Sequence, residues 1–159
     1  MTPAVQTIPD FTDVVLDGRF HVIRRIGHGS YGIVYVATDA EKDDTECAIK
    51  VVHKSSRRSV EDIYKEVEIH STVGAHRNVV SIHDAFEDKD HVFFVLDFCR
   101  GGDLRSQLSE KNVYASDDEK LRNALVSLID AVLACHNKGI YHRDLKPENI
   151  LTNEDGSAI

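Results

Sequence analysis

The 159-residue chain is short of several things, and each shortage closes a class of protein. No stretch reaches the roughly 18 apolar residues that a membrane-spanning helix needs. Residues 1–10 lack the charged start and apolar run of a secretory signal. Nothing here directs the chain away from the cytoplasm or nucleus, and an intracellular location is expected. Cysteine is scarce and odd in number. Cys47, Cys99 and Cys135 fit neither a disulfide framework nor a zinc site, and they read as reduced thiols. Nine histidines are scattered without a helical metal-site spacing among acids. Positive charge is in deficit, with 19 Lys and Arg against 27 Asp and Glu and a net charge of −8. That balance argues against a nucleic-acid or anionic-membrane surface. A site for an anionic ligand must therefore be locally positive.

What is present suits a globular core, with 42% hydrophobic and 29% charged residues. Residues 1–19 hold two of the three prolines and no periodic pattern, so a poorly ordered leader is expected there. Residues 20–26 alternate loosely as a strand. Gly27-His28-Gly29-Ser30-Tyr31-Gly32-Ile33-Val34 follows. In dinucleotide-binding folds such glycines open a helix. Here the next residues, Ile33 to Val36, are β-branched and aromatic, which predicts a second strand and a glycine-rich hairpin. Backbone amides in such a turn can approach phosphates closely. A third strand over 47–52 carries one lysine, Lys50, in an apolar run. That lysine points either to solvent at a sheet edge or to an anion in a cleft.

Residues 54–59 are basic and serine-rich, an expected exposed loop with Ser59 a candidate phosphorylation site. A helix is expected to start at Ser59. Ile63, Val67 and His70 form its apolar stripe, and Glu66 lies on it, whereas Glu68 is about 200° round the helix. Glu66 is thus the inward acid. Strands are expected over 81–86 and 91–98. Ser116 to Glu119 reads as a capping box. The helix after it is apolar nearly all round, from Leu121 to Leu133, and so should be buried on most sides. Gly139 ends it, and a turn over 153–156 leads to a strand at Ala158.

Tyr141-His142-Arg143-Asp144-Leu145-Lys146-Pro147-Glu148-Asn149 packs an acid, bases and an amide into nine positions. Asp144 can accept a proton from a hydroxyl. Lys146 can meet negative charge on a phosphate. Asn149 offers an amide oxygen, a hard ligand suited to Mg²⁺. The stretch fits H-R-D-L-x-x-x-N. On these residues, and on the glycine loop and Cys-Ala-Ile-Lys upstream in the right order, the sequence resembles a eukaryotic protein kinase from Phe20 to its last residue.

The resemblance implies an α+β fold. It has a five-stranded antiparallel N-lobe with one helix over 20–95, a hinge at 96–102 and an incomplete helical C-lobe over 103–159. It implies ATP and Mg²⁺ as cofactors, with Asn149 a metal ligand. Ile26, Gly27, Gly29, Gly32, Val34, Ala48, Lys50, Leu96, Asp97, Cys99 and Asp103 would line the nucleotide. Leu96 would be the gatekeeper, and backbone groups of Asp97 and Cys99 would meet the adenine edge. Glu66 would hold Lys50 on the phosphates, Asp144 would serve as base, and Lys146 would steady the γ-phosphate. Lysine two residues after Asp144 looks like the serine/threonine class, acting on a protein hydroxyl. Glu148 and Asp103 would favour basic residues upstream of the target. Arg143, expected buried beside the base, would need a counter-anion such as a phosphorylated loop.

Arg77 departs from the proline usual in the family's turn at 75–80. The wording of 94–99, with Ile140-Tyr141 before His142, looks most like a fungal group that regulates nutrient response and meiosis. An Asp-Phe-Gly motif would fall at about 162, past Ile159. The expectation is therefore a piece of a kinase that turns over ATP poorly and leaves an apolar patch exposed on the helix from Leu121. The competing expectation is a non-catalytic module that binds nucleotide or a partner.

Overall fold

The structure is a computed structural model, and it describes residues 8–29, 32–54, 59–73, 75–109, 114 and 117–159. Two compact units emerge. One comprises Met1–Glu66 with Ile82–Phe98, the other Val67–Ser81 with Cys99–Ile159.

The first unit is built on β1 (Val15–Leu16), β2 (Phe20–Gly29), β3 (Gly32–Asp39), β4 (Thr45–His53), β5 (Ile82–Glu87) and β6 (His91–Asp97). They form one antiparallel sheet in the order β1-β2-β3-β4-β6-β5. Register sorts its side chains. Ile33 pairs with Val51 and Tyr35 with Ile49, while Val51 pairs with Phe93 and Ile49 with Val95. Directly opposed residues share a face, and this face is the core, with Phe20, Val22, Tyr35, Ile49 and Val51 fully buried. The alternate residues, Val34, Lys50 and Phe94 in one row and Val36, Ala48 and Leu96 in the next, occupy the other face.

The expected five strands are joined by a sixth, and it comes from the stretch expected to be a poorly ordered leader. β1 pairs with β2, Val15 against His21 and Leu16 against Phe20. The hairpin turns at Asp17-Gly18, both at positive φ (50° and 65°), an Asp-Gly signal of hairpin turns. Ahead of it, Phe11 packs edge-on to Tyr35, His91 and Phe93, with ring centroids 6.2, 5.5 and 5.5 Å away. The Tyr35 hydroxyl donates to the Pro9 carbonyl at 3.4 Å. Two paired residues are too few to show an alternation, but one aromatic plug over an exposed core is enough to order the segment.

Arg19, at the start of β2, meets Asp39, at the end of β3, through two bonds of 2.6 Å. Asp39 is buried. The Arg19 guanidinium holds its carboxyl below the usual carboxylate range. Glu41 and Asp84 flank the same guanidinium at 3.2 and 3.3 Å.

Helix α1 (Val60–Val73) follows directly on Ser59. The Ser59 Oγ accepts from the Asp62 N–H at 3.1 Å and donates to the Asp62 carboxylate at 2.9 Å, a reciprocal cap. Ile63 and Val73 are its buried residues.

The second unit holds α2 (Leu104–Ser109), α3 (Asp118–His136) and a small sheet of β7 (Gly102–Asp103) against β8 (Leu151–Thr152). Tyr114, Ala124, Ile150 and Ala158 form its core, with Leu104 and Leu128 against them. The acceptor that caps α3 is Asp117, bonded to the Lys120 N–H; Ser116 lies outside the described residues. Burial of α3 on most sides does not hold, whereas the exposed apolar patch expected on it is present. Leu125, Val126, Ile129 and Leu133 are each about half exposed, at 49%, 57%, 58% and 54%. Only Ala124 and Ala131 are buried on it. Among the described residues, no helix is long and apolar enough to cross a membrane.

Candidate functional site

The first unit carries the glycine loop and the lysine. β2 and β3 pair as far as Gly29 and Gly32, so the loop is a true hairpin; Ser30 and Tyr31 lie outside the described residues. At Gly32, φ is +136° and an added Cβ would sit 2.2 Å from the Val51 carbonyl oxygen. Only glycine fits there. Register shifts interrupt β2 between Val22 and Arg24 and between Arg25 and Gly27, leaving Ile23 and Ile26 in bulges. Bulges re-aim side chains, and Ile26 is 41% exposed.

Val34, Lys50, Ala48 and Leu96 share the sheet face opposite the core. Lys50 does not reach solvent alone. Its Nζ donates to Glu66 Oε1 on α1 at 2.9 Å. The pairing answers the sequence's two alternatives for this lysine: its charge is held within the unit on the face that carries Val34 and Leu96.

Asp97 falls on the core side of β6, opposite Cys47, and its carboxylate takes a 2.6 Å bond with His83 Nε2. Sequence reading missed this contact. It depends on a break in β5 visible only in the pairing, where the register shifts between Ile82 and Asp84 and throws His83 out of the alternation.

The second unit carries the remaining candidates. Cys99 is buried, and its carbonyl accepts from the Gly102 N–H at 3.1 Å. Asp103 is occupied as the cap of α2, accepting from the Ser106 N–H and hydroxyl at 2.9 and 2.8 Å. Glu148 is paired with Arg105 at 2.9 Å. Both acids proposed to favour a basic target therefore already have partners inside the chain.

The loop 141–149 turns sharply at Arg143, whose φ is +63°, an uncommon conformation for a long side chain. Arg143 is exposed rather than buried, so the need for a counter-anion does not follow from burial. The turn lets the Asp144 N–H donate to His142 Nδ1 at 3.3 Å. Pro147 then starts a single 3-10 turn, Pro147–Asn149, which brings Asn149 back to Asp144. Asn149 Nδ2 donates to the Asp144 carbonyl at 2.8 Å and to Asp144 Oδ2 at 2.9 Å. Lys146 Nζ meets the same Oδ2 at 3.0 Å. Asp144 Oδ1 receives no bond from the described residues. The Lys146 ammonium first, and the Asn149 amide second, hold the Asp144 carboxyl below its ordinary range. Both partners thus favour its ionised form.

The donor set can be tested for a cation. With its nitrogen committed to Asp144, Asn149 keeps Oδ1 as a hard neutral oxygen. Among the described residues, no three His, Cys, Asp or Glu gather as a metal cage. Asn149 suits Mg²⁺ as one ligand among phosphate oxygens and waters, the manner in which that ion is usually held.

Residues 20–159 match the family described as Protein kinase domain. The chain is 35% identical over 147 residues to a negative regulator of sexual conjugation and meiosis from Schizosaccharomyces pombe, covering 91% of this chain and 31% of that protein. It is 36% identical to calcium-dependent protein kinase 8 of Oryza sativa subsp. japonica, over 99% of this chain and 30% of that protein. It is likewise 36% identical to a CBL-interacting protein kinase, number 20, of the same plant, over 95% and 33%. The chain thus spans about a third of the length of these curated relatives. The yeast and plant proteins stand within one percentage point of each other, so identity alone does not single out the fungal group.

Proposed function

We propose, from the premise that the chain belongs to the protein kinase domain family, that its protein transfers a phosphoryl group from ATP to a serine or threonine hydroxyl of a protein substrate. The family as a whole uses ATP with Mg²⁺ and acts on proteins. The observation that carries the reading for this chain is the arrangement at Asp144. Both neighbouring donors land on Oδ2, and Oδ1 stays open to receive a hydroxyl hydrogen.

Bound MgATP would supply the phosphoryl group. Lys50, steadied by Glu66, would offer positive charge to its phosphates, with the backbone at Gly27, Gly29 and Gly32 close by. Val34, Ala48 and Leu96 would line the base. Lys146 neutralises charge next to Asp144, and Asn149 Oδ1 would serve as a metal ligand. Asp144 orients the incoming hydroxyl and takes its proton at Oδ1. Lysine at 146 supports the serine/threonine class, and the relatives named calcium-dependent and CBL-interacting protein kinases are in keeping with it.

The test is nucleotide binding followed by transfer. The purified chain is titrated with a fluorescent ATP analogue in Mg²⁺, then offered a mixed serine and threonine peptide pool. Lys50→Met should weaken binding about tenfold. Failure of the unaltered chain to bind ATP overturns the reading. Binding without any transfer favours a non-catalytic nucleotide-binding module.

A further inference from the structure

Val34, Ala48, Lys50 and Leu96, together with Glu66, all belong to the first unit. Lys50, bonded to Glu66, is the charged end of this group. Two positions back along β4 stands Ala48, opposite Leu96 of β6. Two residues of strand span about 7 Å. The Ala48–Leu96 row is therefore set back from the lysine, where the base of a nucleotide anchored by its phosphates at Lys50 would lie.

The next residue, Asp97, ends β6 and pairs in register with Cys47 of β4. The ladder from β5 starts one residue earlier, at Ile82 against Leu96. Strand ends are where a sheet opens first. A side chain makes the link to β5 at this end. His83 Nε2 and Asp97 Oδ1 bond at 2.6 Å. The bond exists because β5 is broken. In an unbroken ladder His83 would stand opposite Val95, but the register shift gives that place to Asp84. His83 is left in a bulge, which re-aims a side chain, and its ring reaches back past Leu96 to Asp97. Both side chains are 39% exposed, so the pair is a weak support for the fold itself.

We propose that His83 is a positioning residue for the base of the bound nucleotide. Acting through Asp97, it fastens the end of β6 to β5, and so holds Leu96 at a fixed distance from Ala48. It touches neither nucleotide nor protein substrate. The inference rests on the proposed binding of ATP at Lys50, and every residue it uses lies in the first unit.

The experiment displaces a fluorescent ATP analogue from the intact chain with adenosine and, separately, with tripolyphosphate, both in Mg²⁺. It compares the unaltered chain with His83→Ala, His83→Gln, Asp97→Ala and the double variant His83→Ala/Asp97→Ala. His83→Ala should weaken adenosine binding roughly threefold, the scale of an exposed charged pair, and leave tripolyphosphate binding unchanged. His83→Gln, which keeps a donor at similar reach, should restore most of the loss. In the Asp97→Ala background, His83→Ala should have no further effect. Equal weakening of both probes marks a general stability role and overturns the inference. So does a loss that persists undiminished in the Asp97→Ala background, or His83→Ala binding adenosine as tightly as the unaltered chain. If the unaltered chain binds neither probe, the nucleotide reading itself falls, and the role of His83 falls with it. Circular dichroism melts identify any variant that fails to fold. Should His83→Ala be one, Asp97→Ala decides the matter: normal adenosine binding by a folded Asp97→Ala overturns the inference.

Discussion

Asn149 spends its amide nitrogen entirely on Asp144, with one bond to the backbone oxygen and one to carboxylate Oδ2. The acid is thereby held from one side only. Among the described residues, Asp144 Oδ1 and Asn149 Oδ1 are the two side-chain oxygens that these bonds leave over.

Removing the donors should release the acid in a defined order. Lys146 is the larger cause of the lowered Asp144 titration and Asn149 the smaller. Lys146→Met should therefore raise the Asp144 titration more than Asn149→Ala, each toward the ordinary value near 3.9. Carbon-detected NMR of the labelled carboxylate reads this directly. The reverse order, or no movement, would count against the hydrogen-bond geometry. Phosphoryl transfer in Asp144→Asn should fall by about 100-fold or more.

The Arg19–Asp39 pair predicts an acid limb in stability. Asp39 titrates below its unfolded value. Its contribution is therefore fully present above the ordinary carboxylate range and is lost as pH falls through the folded value. Asp39→Asn should lower the melting temperature by about 5 °C at neutral pH. The gap to the unaltered chain should narrow as pH falls below the ordinary carboxylate range. A gap that stays constant with pH would assign the effect to shape rather than charge.

Gly101 is required by its surroundings. A Cβ there would lie 2.4 Å from Thr152 Oγ1, 2.5 Å from the Thr152 carbonyl oxygen and 2.6 Å from that of Asn153. Two of these are backbone atoms paired in the β7–β8 region and cannot swing aside. Gly101→Ala should cost about 2 kcal/mol of stability, measured by urea unfolding. A cost within error of zero would mean that β8 shifts freely.

The exposed stripe of α3 predicts dye binding. Leu125, Val126, Ile129 and Leu133 form one apolar face, which a hydrophobic dye should find. The double variant Leu125→Glu/Ile129→Glu should cut dye fluorescence by about half. Its melting temperature should stay within about 2 °C of the unaltered chain, because exposed positions contribute little to stability. Unchanged fluorescence would place the dye elsewhere.

Local patterns carried much of this structure. Alternation and β-branching located β2, β3, β4 and β6, and the stripe on α1 singled out Glu66 over Glu68. The weak spots were those where a short segment borrows its order from something distant. β1 has two residues and no periodicity of its own, and Phe11 is ordered because Tyr35, His91 and Phe93 leave it a place. Asp103 and Glu148 looked open to a basic target in sequence, but short-range partners take them up.

The order of the motifs and the residue types at Gly27 to Val34, Lys50 and Asp144 to Asn149 determined the family by themselves, because a spacing of that length is rarely met by chance. Tertiary structure alone decided which oxygen of Asp144 is open, that Glu66 meets Lys50 at 2.9 Å, and that Lys138 caps a helix other than its own. Those depend on where side chains from distant segments arrive. That is set by sheet register, helix axes and turn direction, none of which a one-dimensional spacing contains.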